Sequence, residues 1–383
     1  MTSKADTDIA SGSSPCAEAR GRRVALLLSG GVDSAVALAL LHREGIRPDC
    51  FYIKIGPEDD GSQWSCSAEE DLELATALAD RYGCRLEVTD CHEEYFRQVT
   101  RYTMEHVRRG LTPNPDVMCN RLIKFGAFDA KRGHDYDFIA TGHYARTLTD
   151  TTDGHGGWRW LCTCPDVVKD QTDFLSQLYP WQLQKALFPI GHLTKDAVRR
   201  LAEQEHLINA HRKDSQGICF LGKIDYTEYV RRHLGERPGD VVERDTGRVI
   251  GRHRGHWFYT IGQRKGLGFG GGPWFIVSKD VESNTLYVAH GYAPDEVYSS
   301  VLRFHGFHSL MPPGMELPRN ITFKIRHTAA WQPATLTPEA AGIYRVEARE
   351  PVHGVAPGQF CVIYDDRHER CLGSGELMVK LKN

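Results

Sequence analysis

The sequence has no apolar run long enough to cross a membrane, which excludes the class of helical membrane proteins. Crossing a bilayer takes roughly 18 consecutive apolar residues, and in this chain of 383 residues every apolar run is far shorter. Residues 1–20 also lack the apolar centre of a secretory signal peptide. They predict a disordered tail, and a transit peptide is the alternative.

Cysteine is present, but not in the pattern of a disulfide scaffold or a zinc site. Eleven cysteines are an odd number and lie scattered along the chain, which indicates a reducing compartment where thiols stay reduced. Cys162 and Cys164 have no second pair at zinc-site spacing, so we expect no structural zinc. We predict a cytoplasmic protein, with an organellar matrix as the alternative. A net charge of -3 gives no global sign of nucleic-acid binding, although a local patch could still bind it.

What the chain does have is a glycine-rich loop after an apolar strand. Residues 24–28 are all apolar, which is typical of a strand buried on both faces, and a helical pattern runs from Ser34 to Gly45. Two adjacent glycines let backbone N–H groups approach an anion at the helix N-terminus. No lysine follows the second glycine, so this is not a GxxxxGK[ST] loop. The segment SGGVDS indicates a phosphate cradle; the alternative is a turn without chemical meaning.

Strand and helix patterns alternate up to about residue 141, which predicts a parallel α/β sheet. The predicted strands cover 24–28, 50–55, 85–88 and 136–140, and the predicted helices cover 34–45, 68–82, 93–109, 120–132 and 194–205. Helical periodicity disappears from residue 239 onward. There the predicted β runs lie at 249, 257–261, 274–277, 285–288, 321–325, 344–348, 360–364 and 377–379, and the last 80 or so residues predict a small antiparallel barrel.

Two further segments place a cysteine where a reactive thiolate is favoured. Cys119 follows two prolines and Asp116 near a predicted helix start, where unpaired N–H groups would favour the thiolate. Cys219 has Arg212 and Lys213 close in sequence, and positive neighbours have the same effect. Each cysteine alone could be structural. Together they could alternate between persulfide, thiol and disulfide by exchange.

Seven segments resemble one family: SGGVDS, TPNPDVMCN, ATGHYAR, KDQ, DSQGICF, YTIGQRKGLG and GVAPGQF occur in the order found in tRNA-specific 2-thiouridylases, the MnmA/TrmU family of PP-loop ATP pyrophosphatases. The resemblance spans about residues 22 to 380. It implies an α/β fold with a parallel-sheet PP-loop domain of the HUP class over 22–210. A small central domain would follow over 211–297, and a C-terminal antiparallel β-barrel over 298–383.

The same resemblance implies ATP-dependent replacement of the uracil C2 oxygen by sulfur at the tRNA wobble position. Cys219 resembles the persulfide carrier, and Cys119 the thiol that frees its sulfur and ends disulfide-bonded to it. Asp116 resembles an acid or base near the uracil. The implied ATP-binding residues are Leu27, Leu28, Ser29, Gly30, Gly31, Val32, Asp33, Ser34, Ile53 and Gly142. The implied tRNA contacts are Asn114, Pro115, Asp116, His143, Lys169, Asp170, Gln171, Arg326, His327 and Gln359; His327 departs from the family, where tyrosine is commoner.

The implied reaction needs ATP with Mg²⁺, whose ligands no motif fixes, and persulfide sulfur from a donor protein. The expected partners are tRNA and a persulfide-donating relay protein or cysteine desulfurase, and the chain is expected to be monomeric. Two other interpretations stay open. A ligase that adenylates a small carboxylate or ureido group would need the loop but neither cysteine. A protein that only binds nucleotide or tRNA would release no pyrophosphate.

A local excess of positive charge lies in residues 231–265. This stretch holds nine Lys and Arg against four Asp and Glu, interleaved with Trp257, Phe258 and Tyr259. We expect it to contact RNA phosphates, and the alternative is an ordinary solvated face.

Overall fold

The structure is a computed structural model that describes residues 15–55, 64–150, 157–214, 226–292 and 294–379. These residues form strands in three sheets. The strands are β1 (Val24–Leu27), β2 (Asp49–Lys54), β3 (Leu86–Asp90), β4 (Phe138–Ala140), β5 (Arg146–Asp150), β6 (Trp158–Cys162), β7 (Ala186–Leu187), β8 (Gly239–Glu243), β9 (Val249–His253), β10 (Trp274–Asp280), β11 (Thr285–His290), β12 (Tyr298–Ser309), β13 (Asn320–Lys324), β14 (Gln332–Pro338), β15 (Tyr344–His353), β16 (Phe360–Tyr364) and β17 (Arg370–Leu377).

The helices lie mostly in the first half of the chain. They are α1 (Val32–Arg43), α2 (Trp64–Arg81), α3 (His92–Tyr95), α4 (Arg101–Arg108), α5 (Pro115–Cys119), α6 (Phe128–Lys131), α7 (Thr172–Leu175), α8 (Pro180–Lys185), α9 (Lys195–Gln204) and α10 (Tyr226–Leu234). π-helical stretches at Phe96–Thr100 and Asn120–Ala127 join α3 to α4 and α5 to α6. No helix within the described ranges is long and apolar enough to span a bilayer.

The first sheet is parallel throughout, and its strand order is β3-β2-β1-β4-β7. The side chains of β1 alternate between two buried clusters, with Leu26 in one and Ala25 and Leu27 in the other. The predicted strand buried on both faces is therefore confirmed. The chain order reverses between β1 and β4, which is where open α/β sheets bind their ligands at the carboxyl ends of the strands.

The second sheet belongs to the central part of the chain, and its order is β10-β11-β8-β9. Its core contains Val241, Trp274, Ile276, Leu286 and Val288. The predicted strand at 257–261 is wrong, because His256–Phe258 forms a 3₁₀ turn and extended pairing does not follow. Trp257 and Phe258 pack against an apolar cluster of the first domain, whereas Tyr259 packs against the core of the second sheet.

The third sheet closes into a barrel. Its order is β12-β15-β14-β13-β16-β17, and β12 pairs with β17 to complete the ring. The predicted antiparallel barrel is therefore confirmed. Strands β12 and β14 were not predicted. The last strand, β17, ends at Leu377, where the sequence predicts that a strand begins. The hairpin β5-β6 extends the sheet through β17. The domain limits at 210 and 297 stay predictions.

Candidate active site

The loop after β1 is closed by its own serine side chains. Ser34 Oγ accepts the backbone N–H of Ser29 at 3.2 Å and donates to the carbonyl of Gly31 at 3.0 Å. Helix α1 begins at Val32, and the first N–H groups of an α-helix have no acceptor within it. These donors and the positive end of the helix dipole lie at the carboxyl edge of the sheet, an arrangement that suits a phosphate group.

Position 30 requires glycine, because of both its backbone conformation and its surroundings. Its φ of 76° lies in the left-handed region, and a Cβ at this position would lie 2.5 Å from the backbone oxygen of Asp71 in α2. The Gly30 carbonyl accepts hydrogen bonds from Asn209 Nδ2 at 2.8 Å and Arg212 Nη1 at 3.4 Å. The loop is thus held from outside by residues that follow α9.

Gly30→Ala is expected to destabilise the protein, and Gly31→Ala in the same loop is its matched control. At position 30 the new methyl group combines left-handed strain with a backbone clash, so we expect a loss of roughly 2 to 4 kcal/mol in unfolding free energy. At position 31 the nearest atom is Ser29 Oγ at 3.4 Å, so we expect a change within about 1 kcal/mol. Chemical denaturation measures both, and equal losses would contradict this difference.

The other residues expected at the nucleotide surround the same loop. Leu27, Leu28 and Val32 are buried, so a ligand could reach their backbone but not their side chains. Gly142 follows β4 and packs against α1, because a Cβ there would lie 2.7 Å from Ser34 N. Ile53, near the end of β2, is partly buried in an apolar cluster. The carboxyl ends of β1, β2 and β4 therefore bring these residues together.

Asp33, in the first turn of α1, joins the loop to a charged cluster. Its Oδ1 accepts hydrogen bonds from the Tyr144 hydroxyl and from Lys195 Nζ, both at 2.8 Å. Burial, and then the neighbouring Asp33 carboxylate, raise the pKa of Tyr144. Tyr144 therefore keeps its proton near neutral pH and acts as a hydrogen-bond donor to Asp33.

The Asp214 carboxylate pairs with three cationic side chains, one of which is Lys195. Lys195 and Lys169 each lie 2.7 Å from its carboxylate oxygens, and Arg199 lies 2.6 Å away. Burial alone would raise the pKa of Asp214, but the hydrogen bonds from Lys169 and Lys195 outweigh it and lower the pKa to about 2. Asp214 is therefore ionised at neutral pH and fixes three positive side chains beside the loop.

Cys119 lies deeper in its helix than the sequence predicts. Helix α5 begins with Pro115, and the Asn114 side chain caps it by accepting the Val117 N–H at 3.3 Å. Proline suits this first position because its φ is already helical. Asp116 thus occupies the positive first turn, and Cys119 is the last residue of α5, 2% exposed. The expected location of the thiol among the unpaired N–H groups is wrong.

Cys119 packs in an apolar cluster that also contains Ile53 and, from α10, Tyr229 and Val230. Cys219 lies outside the described residues, in the interval 215–225. The two flanks of that interval are described: Asp214 contacts the charged cluster beside Asp33, and α10 packs in the cluster of Cys119.

Three of the residues expected at tRNA make hydrogen bonds within the chain, and two of them, His143 and Asp170, are buried. His143 is 8% exposed and its Nδ1 lies 2.7 Å from Thr141 Oγ1; burial lowers its pKa well below the ordinary value, so the ring is neutral. Asp170 is fully buried, accepts the Cys164 N–H at 2.8 Å, and has its pKa raised by burial. Gln171 Oε1 accepts the N–H of Tyr144 at 2.9 Å.

Of the remaining expected tRNA contacts, Gln359, Arg326 and His327 lie in the part of the chain that forms the barrel, whereas Lys169, in the first domain, pairs with Asp214. Gln359 Nε2 donates to the carbonyls of Thr112 and Pro113 at 2.9 Å each, next to the segment Asn114, Pro115 and Asp116. Arg326 is exposed and donates to the His353 carbonyl. His327 Nδ1 lies 3.2 Å from Asp173 Oδ2, and its ring lies against Phe174 with centroids 5.0 Å apart. The structure therefore places Gln359 and His327 at the junction of the barrel and the first domain, and Arg326 beside the end of β15.

Known proteins match the whole length of this arrangement. Family models described as the tRNA methyl transferase HUP domain, the tRNA methyl transferase PRC-barrel domain and the Aminomethyltransferase beta-barrel domain match residues 22–223, 227–290 and 299–377. The tRNA-specific 2-thiouridylase MnmA of Parabacteroides distasonis is 51% identical over 94% of this chain and 99% of its own. The corresponding MnmA 1 of Bacteroides thetaiotaomicron and MnmA 2 of Bacteroides fragilis are 52% and 53% identical, each over 92% of this chain and 99% of their own.

The chain belongs to the tRNA-specific 2-thiouridylase family. The models are described by methyl transfer, but these thiouridylases align with all three matched regions and are the more specific relatives. Among solved structures, an NMN synthetase from Francisella tularensis aligns with a TM-score of 0.34 and 15% identity over 58% of this chain and 82% of its own. That likeness is too low to carry an argument.

Several residues of this thiouridylase-family site could not be singled out by sequence reasoning. Tyr144 and Asp214 lie inside the segments ATGHYAR and DSQGICF, but the resemblance implied roles only for other residues of these two segments. Arg212 was noted as a neighbour of Cys219, yet it contacts the Gly30 carbonyl. Lys195 carries no local signal, because a single lysine at a helix start resembles any solvated cation.

Proposed function

We propose that this chain uses ATP to replace the C2 oxygen of the wobble uracil of tRNA by sulfur. Family membership at 51 to 53% identity supports tRNA 2-thiolation as the reaction. One structural observation carries the finer mechanism: Ile53, which lies at the same sheet edge as the phosphate cradle, packs in one cluster with Cys119. A nucleotide held by the cradle would therefore lie beside a buried thiol.

The first step would turn a poor leaving group into a good one. The uracil O2 attacks the α-phosphorus of ATP; a bond from O2 to phosphorus forms, and the bond to pyrophosphate breaks. N–H groups at the start of α1 would stabilise the charge that develops on the phosphate oxygens. Asp116, in the first turn of α5, is the proposed base that removes the N3 proton of the uracil. Loss of this proton makes O2 more nucleophilic.

Mg²⁺ bound with ATP would neutralise part of the phosphate charge. Asp33 fits such an ion, because its two contacts with Tyr144 and Lys195 both fall on Oδ1. Within the described part of the chain this leaves Oδ2 as an oxygen ligand, and Mg²⁺ is typically held by one or two carboxylates together with substrate phosphates.

The second step would deliver the sulfur. The Cys219 thiolate attacks the terminal sulfur of a persulfide on a donor protein, either a relay protein or a cysteine desulfurase; the Cys219 persulfide forms, and the donor cysteine leaves as its thiol. The Cys119 thiolate attacks the Cys219 sulfur; the disulfide forms, and the terminal sulfur leaves as hydrosulfide. Hydrosulfide attacks the uracil C2, and AMP leaves with the original oxygen. A thiol reductant must then reduce the disulfide before the next turnover.

The stretch 231–265 is the proposed contact with tRNA phosphates. Several of its arginines already face acids: Arg252 lies 3.7 Å from Asp240, and Arg254 lies 3.4 Å from Glu236. Arg264 and Lys265 are exposed, and no carboxylate of the described chain pairs with them. These two side chains therefore remain available for phosphates.

Replacing Arg264 and Lys265 together by alanine is expected to flatten the salt dependence of tRNA binding. Each lost phosphate contact reduces the slope of log K against log salt by nearly one, so we expect a reduction of about two. Arg47→Ala with Arg85→Ala is the matched control, since both arginines are exposed at the amino ends of β2 and β3, away from the site. An unchanged slope in the first variant would assign this stretch to the solvated surface.

Mass spectrometry of tRNA nucleosides after incubation with the protein, ATP and a persulfide donor tests the proposed function. We expect 2-thiouridine at the wobble position only when ATP is present. A ligase for a small carboxylate or ureido group would instead retain activity without either cysteine and leave tRNA unmodified. A protein that only binds would release no pyrophosphate.

A further inference from the structure

Lys195 brings a positive charge to a loop that has no lysine of its own. It is the first residue of α9, which packs beside α1, and its Nζ lies 2.8 Å from Asp33 Oδ1. Its side chain is 12% exposed. In P-loop proteins a lysine within the loop reaches the terminal phosphates; here a residue more than 160 positions further along the chain reaches the equivalent first turn.

The lysine at position 195 does not contribute to the stability of α9. The N-terminus of a helix carries partial positive charge and favours acidic side chains, so a lysine at the first position of α9 is electrostatically unfavourable. Thr194 already caps the helix by accepting the N–H of Ala197 at 3.3 Å, and Asp166 Oδ2 accepts the Lys195 N–H at 2.8 Å. The backbone of Lys195 is thus anchored so that its side chain extends from the helix to Asp33.

Lys195 belongs to a cluster of charged side chains beside the first turn of α1. Lys169, Lys195 and Arg199 face the carboxylates of Asp33 and Asp214. A third carboxylate, that of Asp166, accepts the backbone N–H groups of Lys195 and Lys169. A polyphosphate bound at the first N–H groups of α1 would carry more negative charge than a monophosphate, so the nearby Lys195 ammonium would attract it more strongly.

We propose that Lys195 binds the β- and γ-phosphates of ATP and supplies the cation that the segment SGGVDS lacks. This proposal deepens the proposed function and rests on it. When ATP binds, the Nζ of Lys195 exchanges its contact with Asp33 for the phosphate oxygens, and Asp33 becomes available to the accompanying cation. Asp214 binds Lys195 when ATP is absent and therefore competes with the phosphates for its ammonium group.

Equilibrium binding of ATP and AMP to the full-length chain tests this role. Lys195→Met is expected to weaken ATP binding roughly 10- to 100-fold, as loss of a hydrogen bond to a charged group does, while AMP binding changes by less than about threefold. Lys195→Arg is expected to restore most of the ATP affinity. Lys185→Met is the matched control: Lys185 lies 2.6 Å from Asp129 at the amino end of β7, at the opposite edge of the sheet.

Asp214→Asn provides a test of opposite sign. It removes a carboxylate that competes for Lys195 but keeps the cation, so ATP affinity should stay equal or increase. Equal ATP affinity in wild type and in both Lys195 variants would overturn the inference while leaving the proposed function intact. Failure of the wild-type chain to bind ATP would overturn both. A parallel loss of ATP and AMP affinity in Lys195→Met would show a structural role and overturn the inference alone.

Discussion

Cys219→Ser should never accept labelled sulfur, whereas Cys119→Ser should accept it and then stall. Both variants should fail completely in thiolation, because the proposed transfer needs one sulfur to carry the persulfide and a second to cleave it. Incubation with a ³⁵S-persulfide donor, followed by counting of protein and tRNA, separates the two outcomes. Peptide mapping of the wild type after one turnover without reductant should show a disulfide between Cys119 and Cys219.

A third cysteine controls for the loss of a buried thiol. Cys162 is 4% exposed, like Cys119 at 2%, but lies in the barrel core. Cys162→Ser should thiolate tRNA normally once it is folded. ATP and tRNA binding should persist in the Cys119 and Cys219 variants, because adenylation uses neither thiol. Sulfur transfer by Cys219→Ser at the normal rate would contradict the persulfide assignment.

Asp33→Ala and Ser34→Ala should each abolish pyrophosphate formation with tRNA and ATP. Asp33→Ala removes the proposed ligand of the cation that accompanies ATP, and Ser34→Ala loosens the loop that holds the N–H donors; loss of such electrostatic stabilisation costs about 10²- to 10³-fold in rate. Ser34 is 4% exposed, and its hydroxyl ties Ser29 to Gly31, so we also expect a loss of about 1 kcal/mol in stability for Ser34→Ala. A phosphate-release assay coupled to pyrophosphatase measures the rate.

Asp196→Ala is the matched control for these two variants. Asp196 lies in the first turn of α9 as Asp33 lies in the first turn of α1, but its side chain is exposed. Its removal should leave pyrophosphate release within about twofold of wild type, as for most surface substitutions. Normal ATP turnover in both the Asp33 and Ser34 variants would contradict the assignment of the loop as a phosphate cradle.

The sequence predicts those parts of the fold that depend on neighbouring residues. The apolar run at 24–28 and the two glycines after it predict the central strand and the cradle, because burial on both faces and close backbone approach are local properties. Strand β12 was missed because polar and apolar residues do not alternate cleanly along it, and a bulge interrupts its pairing with β15. Pro333 in β14 had a similar effect, since proline disfavours strands away from edges and bulges.

The charged half of the site depends on contacts between distant parts of the chain. Lys195 and Asp33 are brought together only when α9 packs beside α1, and no local pattern indicates that packing. The burial of Asp170 could not be predicted from the sequence either. Asp170 lies between two other polar residues, as an exposed loop residue would, yet its carboxylate is fully buried. Its Oδ1 lies 3.8 Å from Lys324 Nζ in the barrel.

An isotope label at the uracil oxygen tests the adenylation mechanism most directly. A tRNA with ¹⁸O at C2 of the wobble uracil is incubated with the protein, ATP and a persulfide donor, and AMP is analysed by mass spectrometry. If O2 is adenylated, each 2-thiouridine formed will be matched by one AMP that carries one ¹⁸O. AMP without the label, or 2-thiouridine formed without AMP, would contradict activation of the uracil oxygen by ATP.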